Sequence, residues 1–105
     1  MNQVFRALSD PTRREVLKLL RRRPMTAGEL AEKFPVAKPT MSRHFAVLRE
    51  AGLIESEKSG TTITYRLQLS VLEDALLGFT SAFGFDEQVK ASREVAAVKP
   101  GRSVS

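Results

Sequence analysis

The residues best suited to chemistry in this 105-residue chain are those of the segment Lys38-Pro39-Thr40-Met41-Ser42-Arg43-His44. The Arg43 guanidinium can donate two hydrogen bonds to O6 and N7 of a guanine, which discriminates between base pairs by about 1 to 3 kcal/mol. A contact with phosphate alone is the alternative for this residue. Lys38 suits the phosphate backbone, and Thr40 can donate to a phosphate or offer its methyl group to thymine. Ser42 is equally suited to capping or to local packing. The segment therefore favours a nucleic acid as partner.

His44 is the only histidine of the chain, and the chain has no cysteine. It lies beside an apolar stripe, so a half-buried ring that bonds the scaffold or a phosphate is favoured over a metal ligand or a catalyst. The sequence also lacks paired carboxylates or a glycine-rich loop in a plausible pocket, which argues against an enzyme. We therefore expect no catalytic residues, no cofactor and no metal.

A helix that starts at Pro39 positions this segment. Met41, Phe45 and Leu48 fall on one side of the helical wheel, and Pro39 and Arg43 fall on the other, so Arg43 must face outward. Pro39, Thr40, Ser42 and Arg43 lie near the helix N-terminus, the end that reads base edges in helix-turn-helix proteins. We expect the helix to run from Lys38 to Gly52.

Two further elements flank this helix. The sequence Thr26-Ala27-Gly28-Glu29 is a capping box and predicts a helix to about Lys33. Residues 53–57 and 62–67 alternate apolar and polar types around the turn Lys58-Ser59-Gly60-Thr61, which predicts a β-hairpin. The tip has the charge and the hydroxyl groups to hold phosphates or to enter the minor groove, and a plain solvated turn is the alternative. The tip residues that we expect to contact DNA are Lys58, Ser59, Thr61 and Thr62.

The first 23 residues predict two helices. Residues 2–8 form a short amphipathic helix, and Asp10 is a good N-cap for a second helix that runs from Pro11 to about Arg23. Its inward stripe consists of Val16, Leu17, Leu19 and Leu20. Arg13 and Arg14 lie at the N-terminus of this helix, where the helix dipole disfavours cations. We therefore expect a phosphate or an acidic residue beside them and count both as candidate DNA contacts.

A last helix, capped at Ser70, carries apolar residues at steps of three to four. These are Leu72, Ala75, Leu76, Phe79 and Phe83. Such a stripe on a terminal helix needs cover, either from a second copy or, alternatively, from within the chain. The pattern dilutes beyond Asp86. We therefore predict one domain over residues 1–85, followed by a helix extension and flexible tail over residues 86–105.

Charge is concentrated in the first part of the chain. Residues 1–60 hold 12 Lys and Arg against 7 Asp and Glu, whereas residues 61–105 hold 5 against 5. An excess of positive charge that coincides with a helix-turn-helix pattern favours a polyanion as partner. The predicted helices and the predicted hairpin together give a fold class that is mainly α with a small β-hairpin. Because the first 20 residues lack the apolar core of a signal peptide, we expect a cytoplasmic protein.

Several spaced motifs occur in an order that resembles the arsenic-repressor (ArsR/SmtB) family, over about residues 2–83. They are Ser9-Asp10-Pro11-Thr12-Arg13-Arg14, Thr26-Ala27-Gly28-Glu29-Leu30-Ala31, Ser42-Arg43-His44-Phe45-Ala46-Val47-Leu48, Ala51-Gly52-Leu53-Ile54 and the Gly60 hairpin. Within the family, the starts Val4-Phe5-Arg6-Ala7-Leu8-Ser9-Asp10 and Met25-Thr26-Ala27-Gly28 are similar to the autorepressor branch that includes the sporulation-delay repressor.

The resemblance implies a winged helix-turn-helix repressor that acts as a homodimer. Such a repressor binds an inverted repeat in its own operator on double-stranded DNA and is released by a signal. The family pairs the first and last helices across the two-fold axis. In this chain the implied dimer contacts are Val4, Phe5, Leu8, Leu72, Ala75, Leu76, Phe79 and Phe83.

Two features depart from the family. Its metal sensors use cysteines on the helix that here reads Glu29-Leu30-Ala31-Glu32-Lys33, or Asp/His and His/Glu pairs on the last helix, so metal sensing is not expected. Ala37 stands where members often carry a capping residue, and the missing cap lowers helix stability by about 1 kcal/mol.

Without a metal site, release could come from an apolar ligand or from a sequestering membrane partner. The alternative function is a winged-helix interaction module that binds another protein through its apolar terminal helix.

Overall fold

The computed structural model describes residues 2–84, which form five helices and one three-stranded sheet. The helices are α1 (Asn2–Leu8), α2 (Pro11–Arg22), α3 (Ala27–Glu32), α4 (Lys38–Glu50) and α5 (Leu69–Ala82); the strands are β1 (Met25–Thr26), β2 (Ile54–Ser59) and β3 (Thr62–Leu67). The chain divides into two compact units between Leu72 and Glu73, inside α5. The expected extension over residues 86–105 lies outside the described residues.

Two predicted N-caps start the second and third helices. The Asp10 carboxylate accepts a hydrogen bond from the backbone N–H of Arg13 at 3.1 Å. Thr26 Oγ1 accepts from the Glu29 N–H at 3.0 Å, and Glu29 Oε1 accepts from the Thr26 N–H at 2.9 Å, so the capping box is complete. Each cap satisfies backbone donors that a helix leaves without a partner in its first turn.

Helix α4 follows the predicted periodicity. Met41, Phe45 and Leu48 are its three buried residues, and Gly52 beyond its end has a φ of +77°, the left-handed conformation that glycine adopts without steric cost. Ala37 at the N-cap supplies no side-chain hydrogen bond. The start of the helix therefore lacks a side-chain cap.

The sheet corrects the predicted two-stranded hairpin in two ways. A third strand, β1, pairs with β3 through Met25 and Tyr65 and through Thr26 and Thr64, giving the order β1-β3-β2. Strand β2 begins at Ile54 and continues through Ser59, so the connection is a two-residue loop rather than a four-residue turn. Gly60 in this loop has a φ of +63°, as the first position of a type II′ turn requires.

The core lies where α2, α3 and α4 meet the sheet. Its largest fully buried side chains are Leu30, Met41, Leu48, Leu53, Ile54 and Val16. Phe45 of α4 packs on Tyr65 of β3 with ring centroids 4.8 Å apart. Burying a side chain of this size contributes about 1.5 to 3 kcal/mol. Leu19, expected in the stripe of α2, is only half-buried.

Helix α5 differs from its prediction at both ends. It begins at Leu69, so Ser70 lies within the helix and is not its cap, and it ends at Ala82, before Phe83. Gly84 has a φ of +77° beyond that end, which explains why the helix does not continue across it. No helix of residues 2–84 has the length and hydropathy of a membrane span. The described chain is thus mainly helical with a small antiparallel sheet, as the predicted helices and hairpin indicated.

Candidate nucleic-acid interface

The N-terminal half of α4 presents one face to solvent. Its exposed residues are Lys38, Pro39, Thr40, Ser42 and Arg43. The opposite face is fixed by Met41 and Phe45, which are 1% and 4% exposed. Because residues three and four apart share a helix face, Lys38 lies beside Ser42, and Thr40 lies beside Arg43. The predicted helix residues are thus all exposed on the part of α4 that the buried stripe leaves open, as two neighbouring pairs that each contain one cation.

Arg43 faces away from the core. Within residues 2–84, its guanidinium takes part in no hydrogen bond or ion pair, and neither does the Lys38 ammonium. None of the five guanidinium donors of Arg43 is therefore engaged within this part of the chain. A planar fork of this kind matches guanine edges and phosphates in two-bonded geometry.

Arg13 has a different setting from the one expected. Its side chain is half-buried and donates from Nε to the Ala7 carbonyl at 2.8 Å and from Nη2 to the Arg6 carbonyl at 3.0 Å. Its Nη1 lies 3.1 Å from Nδ1 of His44. Arg14 Nη1 donates to the Leu8 carbonyl at 2.8 Å and stays exposed. Both cations at the start of α2 therefore hold the carbonyl end of α1, where the helix dipole favours positive charge.

The carbonyls at the end of α1 are therefore the partners of these two cations, where we expected a phosphate or an acidic residue. The carbonyls of Arg6, Ala7 and Leu8 are among those that a helix leaves without an internal partner. No sequence pattern marks a carbonyl as an acceptor. The signal that was present is the pair of cations at a helix N-terminus, which required some compensating contact.

His44 connects α4 to this cluster, as the prediction of a scaffold bond indicated. Its side chain is 12% exposed, and its Nε2 lies 3.9 Å from Asp10 Oδ2. Because arginine only donates, the contact with Arg13 is a hydrogen bond in the tautomer whose Nδ1 accepts and whose Nε2 carries the proton, toward Asp10. The ring therefore fixes α4 against the start of α2. Within residues 2–84 no group of three or more metal-ligating side chains could hold a metal ion.

The carboxylate of Asp10 is favoured in its charged form. Burial raises its pKa, but the hydrogen bond from the Arg13 N–H, the electrostatic attraction of the His44 ring and of the Arg13 charge, and the hydrogen bond from the Thr12 N–H together outweigh burial. The pKa of Asp10 consequently lies below its ordinary value of 3.8. The sequence predicted that Asp10 is a cap. It did not predict that the same carboxylate also lies beside His44.

The hairpin tip forms the second exposed polar surface. Lys58, Ser59, Thr61 and Thr62 are all exposed. On β2, side chains alternate between the two faces of the sheet, so Lys58 and Glu57 point in opposite directions. Glu57 receives a hydrogen bond from Arg66 at 3.1 Å. The acidic residue nearest the tip is thereby paired, and Lys58 remains the cation of the tip.

The residues implied in dimer contacts differ in exposure. Val4 and Ala75 are 6% and 7% exposed and have little surface left for a partner. Phe5, Leu8 and Leu72 are half-buried. Leu76, Phe79 and Phe83 are 45%, 43% and 62% exposed, and the last two rings lie 4.9 Å apart between centroids.

Known proteins are similar to this chain in sequence and in fold. A family described as a helix-turn-helix domain matches residues 8–57. Over 76 residues the chain is 46% identical to the transcriptional repressor SdpR of Bacillus subtilis (strain 168), across 72% of this chain and 84% of that protein. An ArsR-like transcriptional regulator from Rhodococcus sp. RHA1 has a solved structure with 33% identity and a TM-score of 0.68, covering 99% of this chain and 93% of that one.

A crystal structure of another ArsR family transcriptional regulator has 35% identity and a TM-score of 0.68, over 79% of this chain and 89% of that chain. These similarities confirm the resemblance that the motifs indicated, together with its winged helix-turn-helix fold. The chain belongs to the ArsR family of DNA-binding transcriptional repressors, a regulator type that is not enzymatic.

Proposed function

We propose that this repressor binds an inverted-repeat operator as a homodimer, with one copy of α4 in each of two successive major grooves. The observation that carries the proposal is the solvent-facing side of α4, on which Arg43 lies opposite the buried Met41 and Phe45. Two such helices about 34 to 36 Å apart would meet the same groove face one turn apart. The operator is then an imperfect palindrome.

Within each half-site we assign base contacts to the N-terminal half of α4. Arg43 donates to a guanine, while Thr40 and Ser42 contact a phosphate or a base edge. Phosphate contacts come from Lys38, Arg14 and the hairpin tip at Lys58. The remaining proposed contacts position the DNA backbone against the protein. They are Pro39, Ser59, Thr61 and Thr62. We assign Arg13 and His44 no direct DNA contact, because their polar atoms are engaged with each other and with α1. Their role is to hold α4 in position.

The proposed dimer uses α1 and α5, and residues 1–85 constitute its DNA-binding and dimerisation domain. Leu76, Phe79 and Phe83 supply the apolar surface that the partner covers, since their exposed fractions are far above those of Val4 and Ala75. Exposed large apolar side chains in a row mark an interaction surface.

The similarity to SdpR supports the further proposal that the chain represses its own gene and is released when a membrane partner sequesters it. We place this activity in the cytoplasm, where a repressor meets its operator. The excess of positive charge in residues 1–60 favours this function over an interaction module. A winged helix that binds only another protein and not DNA would not need that charge.

A mobility-shift titration on the DNA upstream of the protein's own gene tests the proposal. If each subunit neutralises four or five phosphates, log affinity falls against log salt with a slope of about −7 to −9. Sedimentation of the complex should give two copies per duplex, and footprinting should protect two segments one turn apart. Absence of retardation at low salt, or one copy per duplex, would contradict the proposal.

A further inference from the structure

A cavity of about 200 Å³ lies on the side of α2 that carries the basic residues Arg14, Lys18 and Arg21. Five leucines line it, contributed by α1, α2, β3 and the first turn of α5, together with those three cations. All eight residues belong to the compact unit that ends at Leu72. The cavity thus combines an apolar wall with a rim of three cations that border it through their hydrocarbon stems, and Lys18 on this rim is already paired with Glu15.

The three cations follow one face of α2, because they are spaced by four and then three residues. Two of them already have partners: Arg14 donates to the Leu8 carbonyl, and Lys18 pairs with Glu15 at 3.0 Å. The Lys18 pair is 73% and 54% exposed, so it is weak and easily exchanged. Within residues 2–84 the Arg21 side chain makes no hydrogen bond or ion pair. Arg21 is therefore the cation that a ligand would meet first.

We propose that this cavity binds a small amphipathic carboxylate, with a short hydrocarbon body among the leucines and the carboxylate at Arg21 and Lys18. The volume is below the roughly 300 to 1,000 Å³ of pockets for drug-sized ligands, which limits the body to a medium chain or a single ring. The charge of the rim excludes a cationic head group and favours an anionic one over a neutral one. Of the residues assigned to DNA, Arg14 alone lines the cavity, as a proposed phosphate contact, and none of the assigned base contacts does.

Three probes of one chain length test the assignment: octanoate, octanol and octylamine. In NMR titrations of the full chain without DNA, octanoate should shift amide signals of Leu17, Leu67 and Leu69 and saturate. Octanol should bind more weakly and octylamine should not bind, because they share the hydrocarbon body and differ only in the head group. Equal binding of all three would overturn the proposed role of the basic rim, and absence of octanoate binding would overturn the site.

A matched pair of variants on α2 localises the head group. Arg21→Gln should weaken octanoate binding by roughly three- to fivefold, the size of one partly exposed charge pair. Arg22→Gln removes the same charge from the next residue, which lines a separate cavity, and should leave binding unchanged. Equal loss in both variants would show general charge attraction and overturn the site.

A second copy of the chain is the competing occupant of this apolar wall, because Leu8 and Leu72 are also among the implied dimer contacts. In that case, signals of the lining leucines would change with protein concentration and not with octanoate, which would overturn the proposal. The titration contains no DNA, so its outcome is independent of whether the protein binds its upstream region. A mobility shift without octanoate binding would remove the ligand site and leave the proposed repressor function intact.

Discussion

Nη1 of Arg13 lies 3.1 Å from Nδ1 of His44, a contact that joins the first turn of α2 to the recognition helix α4. The same guanidinium holds the carbonyls of Arg6 and Ala7 at the end of α1. One side chain therefore fixes three helices relative to one another. The outward direction of Arg43, the residue before His44, follows from how this contact and the buried stripe orient α4.

A double-mutant cycle measures the coupling between Arg13 and His44. Arg13→Ala, His44→Ala and the double variant should each lower the free energy of unfolding, with a coupling energy of about 0.5 to 1.5 kcal/mol, typical of one hydrogen bond. Urea denaturation gives all three values. Arg13→Ala should cost more than His44→Ala, because it also leaves the two α1 carbonyls without their donor. Strictly additive losses would show that the contact contributes nothing.

Stability should fall in acid partly through Asp10. Because its pKa in the folded chain lies below the ordinary 3.8, the charged carboxylate stabilises the fold above that pH. This stabilisation is lost as the pH falls through the lower, folded value. Asp10→Asn keeps an N-cap acceptor and removes the charge. The stability advantage of the natural chain over this variant should therefore shrink as the pH falls below the ordinary value of 3.8 and through the lower, folded value.

Chemical denaturation at a series of pH values provides the test of Asp10. Glu15→Gln is the matched control, since it removes another carboxylate from α2 without touching the cap or His44. An Asp10→Asn difference that stays constant or grows toward low pH would contradict the assigned role of the charge.

The uncapped start of α4 predicts a gain in stability. Ala37 has the extended backbone of an N-cap, with φ −66° and ψ 150°, and no side-chain acceptor. Ala37→Ser should add about 1 kcal/mol to the free energy of unfolding. Its hydroxyl would accept from the Thr40 N–H, because Pro39 has none. Ala37→Val brings no acceptor and should show no gain. Equal stability of the two variants in urea denaturation would contradict the capping argument.

Lys58 should contribute to DNA affinity without contributing to sequence choice. Lys58→Ala removes one phosphate contact, so binding should weaken alike for operator and unrelated duplexes, and the salt slope should fall by about 1. Lys33→Ala, an exposed lysine that we do not assign to the interface, is the control. Fluorescence anisotropy at several salt concentrations measures both effects. An unchanged slope would show that the hairpin tip does not meet phosphate.

Local signals in the sequence predicted much of this fold. The N-caps at Asp10 and Thr26, the stripe of Met41, Phe45 and Leu48, and the turn at Gly52 all depend on neighbours within a few residues. The direction of Arg43 followed from that stripe. Such features are visible in sequence because helix geometry alone relates the residues involved.

The features that sequence did not reveal depend on distant partners. Strand β1 is two residues long and forms by pairing with β3, where Met25 meets Tyr65, forty residues away, so no periodicity marks it. Arg13 was expected beside a phosphate or an acidic residue, because the α1 carbonyls that accept its hydrogen bonds have no side-chain signature in the sequence. At α5, the left-handed Gly84 lies beyond the helix end, whereas the spacing of apolar residues suggested continuation.

The most direct test of the account is the specificity of an Arg43→Ala variant, measured as the ratio of its dissociation constants for an unrelated duplex and for the operator. The account predicts that this ratio falls by a factor corresponding to about 1 to 3 kcal/mol, with the loss confined to one base pair of each half-site. A variant that binds both duplexes more weakly by the same factor would contradict it, because Arg43 would then contact only phosphate.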